Sequence, residues 1–95
     1  LNVSAKQAMP ASPHVADTLG WAYYKLRMMD AAIGQFKNCA QMTPTTPSCH
    51  YHLGLVYMAS GKREMAEQSL LQALKDPGFR YPVEAKAALS KLARP

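Results

Sequence analysis

Two stretches decide how this chain folds: Leu19-Gly20-Trp21-Ala22-Tyr23 and Leu53-Gly54-Leu55-Val56-Tyr57, set 34 residues apart in a sequence of 95. Outward from them the same shift lays Ala32 on Ala66, Pro13 on Pro47, Pro10 on Pro44 and Gln7 on Gln41. The identities are few, but they fall on turn-forming, small and large apolar residues, the types that fix a backbone path. Self-similarity at a period of this length marks a repeated supersecondary unit, which buries its apolar face only by stacking on its neighbours.

Each unit reads as a pair of helices. The first starts at a proline, Pro13 or Pro47, which suits a helix start because its missing N–H would have no partner there. In unit one it carries Val15, Leu19, Ala22, Tyr23 and Leu26 at helical spacing, and these are expected to face inward. The second helix runs from about Asp30 to Met42, with Ala32, Ile33, Phe36, Cys39 and Ala40 inward, and stops at Thr43-Pro44 because proline disfavours helical geometry in the residue before it. Unit two repeats this with Leu53, Val56 and Tyr57, a turn at Ser60-Gly61-Lys62, and a second helix carrying Ala66, Leu70, Ala73 and Leu74 up to Asp76-Pro77-Gly78. A glycine inside a helix costs about 1 kcal/mol relative to alanine. Gly20 and Gly54 recur at one register, so they predict a close helix approach, with Ala32 and Ala66 small on the opposite side and Phe36 and Leu70 filling the gap.

The ends extend the pattern. Ala5 and Pro10 match Cys39 and Pro44, so residues 1–12 read as the tail of a preceding repeat helix, followed by repeat 1 over 13–46 and repeat 2 over 47–80. Beyond Gly78 the register slips by one, Pro47 matching Pro82, and residues 81–95 read as a capping helix with Lys86, Lys91 and Arg94 outward. A polar outer face is how stacked repeats close an open end. The chain opens on Leu1 without an initiator Met, which reads as a segment taken from a longer protein.

These residues resemble the tetratricopeptide repeat family, whose signature is W-x2-L-G-x2-Y, then A-x3-F and a proline. Unit one reads Ala16-x2-Leu19-Gly20-x2-Tyr23, Ala32-x3-Phe36, Pro44; unit two reads His50-x2-Leu53-Gly54-x2-Tyr57, Ala66-x3-Leu70, with Ala73 following. Ala16 and His50 stand where the family has Trp, and Arg27 stands where it has a turn glycine, which predicts a strained or differently shaped turn. The resemblance implies an all-α superhelix of antiparallel helix pairs whose concave groove, lined by the first helix of each unit, holds a partner peptide, helix or domain. The tail, with its Asp76-Pro77-Gly78 loop and Ala-rich last helix, is also similar to the C-terminal ends of bacterial proteins of this family linked to surface-polysaccharide export or protein sorting.

In that architecture the groove face carries His14, Asp17, Trp21, Tyr24 and Lys25 from unit one, and Ser48, Tyr51, His52, Leu55 and Met58 from unit two. Spacings of three and four residues set each group along one helical stripe. Trp and Tyr are frequent anchors of interfaces, although Trp21 can equally pack against a neighbouring helix. Met58 adapts to irregular shapes, so the groove suits a partly apolar peptide or helix. Gripping a terminal carboxylate, as some members of the family do, is excluded here: Asp17 would repel it and the Asn and Lys needed for the clamp are missing.

Other functions find less support. Hydrophobic residues are 48% and charged residues 18%, a balance that builds a core and does not describe a disordered polyelectrolyte. The net charge of +5 is scattered, with only Lys62-Arg63 adjacent, so nucleic acid is an unlikely partner. No run reaches the ~18 apolar residues of a membrane span. Cys39, Cys49, His50 and His52 invite a metal reading, but lack compact four-ligand spacing, and two histidines two residues apart on a helix face different ways. Cys39 and Cys49 are either a disulfide across the interhelical turn or buried thiols. His14 and Asp17 lie one turn apart without a paired nucleophile, and there is no phosphate-binding loop, so neither catalysis nor a cofactor is expected. The competing role is a structural spacer or self-association module, through exposed repeat ends, accessory to another domain.

Overall fold

The structure is a computed structural model that describes residues 12–42 and 46–94. The chain is all-α: α1 (Pro13–Lys25), α2 (Met29–Gln41), α3 (Pro47–Ala59), α4 (Arg63–Leu74) and α5 (Pro82–Ala93). Helices α1 and α2 pack as one antiparallel pair, α3 and α4 as another, and α5 lies on α4 as a cap, consistent with a tetratricopeptide-type array. Helices α1, α3 and α5 each begin with proline in the first turn, and the Ser12 hydroxyl caps α1 by accepting from Val15 N at 3.1 Å. The expected tail of an earlier helix, and the motif proline Pro44, lie outside the described residues except for Ser12, which is the cap of α1.

The pairing within each unit rests on its glycine. A Cβ on Gly20 would stand 2.5 Å from the Phe36 ring, and one on Gly54 would stand 2.8 Å from Leu70 Cγ and 3.3 Å from the Ala66 carbonyl oxygen. Phe36, Leu70, Ala32 and Ala66 are fully buried, so the small residues admit the large ones and the paired helices close around them. One core cluster joins Ala32 and Phe36 to Leu53, Val56, Tyr57 and Ala66; the next joins Leu70 and Ala73 to Phe79, Ala85 and Ala88. The core thus runs along the stack without a break between units.

The turns linking the paired helices have one shape, so of the two expectations drawn from Arg27 the strained turn is the one observed and the differently shaped turn is not. In unit one Met28 N donates to Tyr23 O at 2.9 Å and Arg27 N to Tyr24 O at 3.0 Å; in unit two Lys62 N donates to Tyr57 O at 2.8 Å and Gly61 N to Met58 O at 3.1 Å. Both form the same two-bond helix terminus with a left-handed residue, Gly61 at φ 75° and Arg27 at φ 62°. The hydrogen bonds hold the geometry and Arg27 bears the strain of a Cβ in that region.

The apolar face assigned to α1 needs a second correction. Its buried residues are Ala16 and Gly20, with Tyr23 half-buried, whereas Val15, Leu19 and Leu26 are exposed and so is Ala22. Leu19 is 42% exposed while its repeat counterpart Leu53 is 6% exposed, and Val15 is 53% exposed where Cys49 is fully buried. The difference is positional: α2 covers that face of α3, and no described element covers the same face of α1.

Two predictions follow from the backbone. Gly20→Ala should lose about 1–2 kcal/mol, because overpacking against Phe36 outweighs the helix propensity gained, whereas Gly34→Ala, with open space at its Cβ, should gain up to ~1 kcal/mol. Urea unfolding of the two variants should move in opposite directions. Arg27→Gly should stabilise by about 0.5–1 kcal/mol, the relief of left-handed strain being partly offset by added freedom in the unfolded chain; an unchanged denaturation midpoint would show that Arg27 is unstrained.

Candidate functional site

Helices α1 and α3 run parallel, one from each unit, and the side chains between their buried stripes form a row of rings. Tyr24 meets Trp21 edge-on at 5.3 Å between centroids, and Trp21 meets His52 at 4.8 Å. His52 lies 5.6 Å from Tyr51, and Tyr51 stacks on Tyr81 at 5.6 Å with 22° between planes. Beneath the row, Phe36 touches Trp21 and His52, and Phe79 touches Tyr51 and Tyr81. Edge-on and offset contacts at these distances are the favoured arrangements of aromatic quadrupoles. The row therefore binds the two units to each other and is itself left half-exposed, Trp21, Tyr24, Tyr51 and His52 all lying between buried and open.

A polar pair sits inside this apolar row. His52 Nδ1 lies 2.5 Å from Asp17 Oδ1, joining α3 to α1, with the imidazole 13% and the carboxylate 24% exposed. The hydrogen bond fixes the His52 ring plane against Trp21, and Asp17 satisfies a ring nitrogen that would otherwise be partly shielded from water. Burial, then the charge of Glu84, then Tyr81 push the Tyr51 phenol above the usual tyrosine range, so it remains a neutral hydroxyl. His50 lies on another face, lining a depression with Gln72, Lys75 and Asp76, and burial lowers its pKa.

Next to the pair opens a cleft of about 540 Å³ lined by Pro13, His14, Asp17, Thr46, Pro47, Ser48, His52, Gly78, Arg80 and Tyr81. Four of the ten residues expected on the groove face, His14, Asp17, Ser48 and His52, line this cleft, and Trp21, Tyr24 and Tyr51 adjoin it through the ring row. Leu55 and Met58 are half-buried against the core around Leu70 and Ala88, and Lys25 is exposed in the last turn of α1, away from the cleft. Sequence reasoning missed Phe79, Arg80 and Tyr81 as groove residues, reading them only as the end of repeat 2 and the start of the cap. The available signal was position: Tyr81 precedes Pro82 as Ser12 precedes Pro13, placing it at the entrance of a first helix. The loop is held by Asp76, whose side-chain oxygen accepts from Gly78 N at 2.7 Å.

Below the cleft, Cys39 of α2 and Cys49 of α3 are joined by a disulfide with their Cα atoms 5.6 Å apart, both residues fully buried beside Ala16. The two sulfurs and the Asp17 carboxylate lie within 4.8 Å of one another. In this bridged state the sulfurs are spent on each other and offer no thiolate to a cation. Thr46 Oγ1 is 3.0 Å from Cys49 Sγ, and Cys39 Sγ is 3.1 Å from the Pro13 carbonyl oxygen.

Residues 47–75, which comprise α3 and α4, match the tetratricopeptide repeat family. No curated protein matches the chain. A repeat of this family implies a protein-interaction scaffold in general, and the family is generally non-catalytic. Among the described residues no helix is long and apolar enough to cross a membrane.

Removing the polar pair tests its part in the site. Asp17→Ala leaves the His52 ring nitrogen without its partner and should cost about 1–2 kcal/mol, while Asp17→Asn, whose amide oxygen still accepts, should cost less. Equal losses in chemical denaturation would mean that the carboxylate charge, which the isosteric amide lacks, carries the interaction and that a neutral acceptor cannot replace it.

Proposed function

We propose that this chain is a stretch of a longer tetratricopeptide array that holds an extended, partly apolar peptide or helix of another protein along the α1–α3 groove. The observation that carries the reading is the half-exposed ring row from Tyr24 through Trp21, His52 and Tyr51 to Tyr81, beside a cleft with few charged groups. Rigid aromatic side chains give large contact area at small entropic cost, which is why they anchor interfaces. His14, Ser48 and Arg80 at the cleft supply hydrogen bonds that set register, and the Asp17–His52 pair holds the rings in place before a partner arrives. Residues 13–46 and 47–80 act as two repeats, 81–95 as the cap, and the exposed stripe of Val15, Leu19 and Leu26 is the face on which a preceding helix stacks. The similarity of the Asp76–Gly78 loop and the last helix to bacterial export and sorting proteins suggests where such a partner would be sought.

The same exposed stripe favours self-association as the second reading. Two variants separate them. Trp21→Ala with Tyr51→Ala should weaken capture of a partner at least ~10-fold, since each large aromatic anchor is worth roughly 2 kcal/mol or more, with helical content retained. Leu19→Glu should leave partner binding intact and abolish any dimer seen by sedimentation. Unchanged affinity in the aromatic double variant would remove these residues from the site.

A further inference from the structure

The disulfide stands where three helices meet beneath the groove. Cys39 belongs to α2 and Cys49 to α3, while α1 contributes Ala16 to the same buried cluster and the Pro13 carbonyl oxygen at 3.1 Å from Cys39 Sγ. The bond therefore ties the second helix of unit one to the first helix of unit two. Those two helices also fix how far α3 sits from α1, because α1 packs mainly on α2 and touches α3 only sparsely. The groove is built across that distance. The path from sulfur to groove is short: the Asp17 carboxylate lies within 4.8 Å of both sulfurs, it holds His52 by a hydrogen bond, and His52 packs on Trp21 at 4.8 Å.

The surroundings also accommodate the reduced form. A Cys39 thiol would find the Pro13 carbonyl oxygen at 3.1 Å as its acceptor, and a Cys49 thiol would pair with the Thr46 hydroxyl at 3.0 Å. Neither thiol would be a buried group without a partner, so reduction leaves no desolvated donor to force the site apart. A structural crosslink does not need such partners; a pair that works in two states does. In the repeat register Cys39 corresponds to Ala73, and Cys49 to Val15, so the fold itself does not require cysteine at either position.

We infer that Cys39 and Cys49 form a reversible thiol–disulfide pair that sets the α1–α3 spacing and thereby tunes the aromatic groove, closed and rigid when oxidised, looser when reduced. Its meaning for partner binding rests on the groove reading above. The chemistry is exchange with a small disulfide of the glutathione class: one protein thiolate attacks it, forming a mixed disulfide and releasing one small thiol, and the second protein thiolate displaces the other. Two protein thiols and one small disulfide give one protein disulfide and two small thiols, so the two electrons lost by the protein sulfurs reduce the reagent. Both sulfurs are buried, so exchange requires the first turn of α3 to open and runs faster in denaturant than in the folded chain.

Trp21, the single tryptophan, reports on the groove without any partner. The full chain equilibrated with oxidised glutathione, then acid-quenched and unfolded in denaturant so that burial protects neither sulfur, should resist alkylation, and after reduction should take up two alkyl groups. Reduction should lower Tm by roughly 10 °C or more, as expected for removing a short crosslink from a small domain. It should also move Trp21 emission to longer wavelength while far-UV circular dichroism stays helical. Cys39→Ala with Cys49→Val should show the reduced-state emission and ignore reductant. Thiols that remain open to alkylation in oxidised glutathione would overturn the pair. A Tm change without any change in Trp21 emission would overturn its reach to the groove, as would a reductant response that persists in the double variant. None of these readouts depends on finding a ligand, so failure of the peptide-binding reading would be recognised separately.

Discussion

The approach of Phe36 to Gly20 is the constraint from which the remaining architecture follows. A side chain at Gly20 would collide with the ring, so the glycine permits α1 and α2 to close until Phe36 is sealed between them. Once sealed, Phe36 presents its ring to Trp21 and His52 as well as to Ala32 and Val56, and unit one is bound to unit two through the same side chain. Leu70 over Gly54 repeats the device and hands the core on to Phe79, Ala85 and Ala88 beneath the cap. A solenoid has only nearest-neighbour contacts to rely on, and here one buried side chain in each unit serves both its own pair and the next.

That economy explains the double character of the groove. Trp21 does pack against its neighbours, touching Phe36 and His52, yet it is half-exposed and belongs to a surface row. Packing and recognition are not alternatives for such a residue. Holding the rings from one side leaves the other side rigid and partly unsolvated, the condition under which a partner loses least entropy on binding. The Asp17–His52 hydrogen bond crosses the seam between units at the same point, so orientation of the groove and cohesion of the stack share one contact.

Helix pairing, the glycine register and the buried roles of Phe36, Cys39 and Leu70 were legible from the period, because a repeated small residue in a helix has few physical explanations. The inward face of α1 was not. Val15, Leu19 and Leu26 have the composition of a core, but burial depends on what lies opposite, and periodicity reads only one side of a contact. The turn at Arg27 was legible only as an alternative, strained or differently shaped: residue preference could not choose, whereas backbone hydrogen bonds to Tyr23 and Tyr24 impose the left-handed residue whatever its side chain. On the groove face the stripe spacing placed His14, Asp17 and His52 together, while Tyr81 lay outside any helical stripe and was marked only by its place before Pro82, as Ser12 stands before Pro13. The joining of Cys39 to Cys49 was open until the two helices were seen side by side.

The prolines at the starts of α1 and α3 have a consequence for the electric field of the groove. Pro13 and Pro47 both line the cleft, so two parallel helices open onto it with their N-terminal ends, and α5 begins next to Tyr81 at its far wall. Each helix end carries about half a positive elementary charge, and Arg80 in the cleft lining adds a full one, against the carboxylates of Asp17 in the lining and of Glu84 near Tyr51. The groove is therefore not symmetric end for end: its proline edge is electropositive, and a polar chain lying across it would feel a preferred direction before making any side-chain contact.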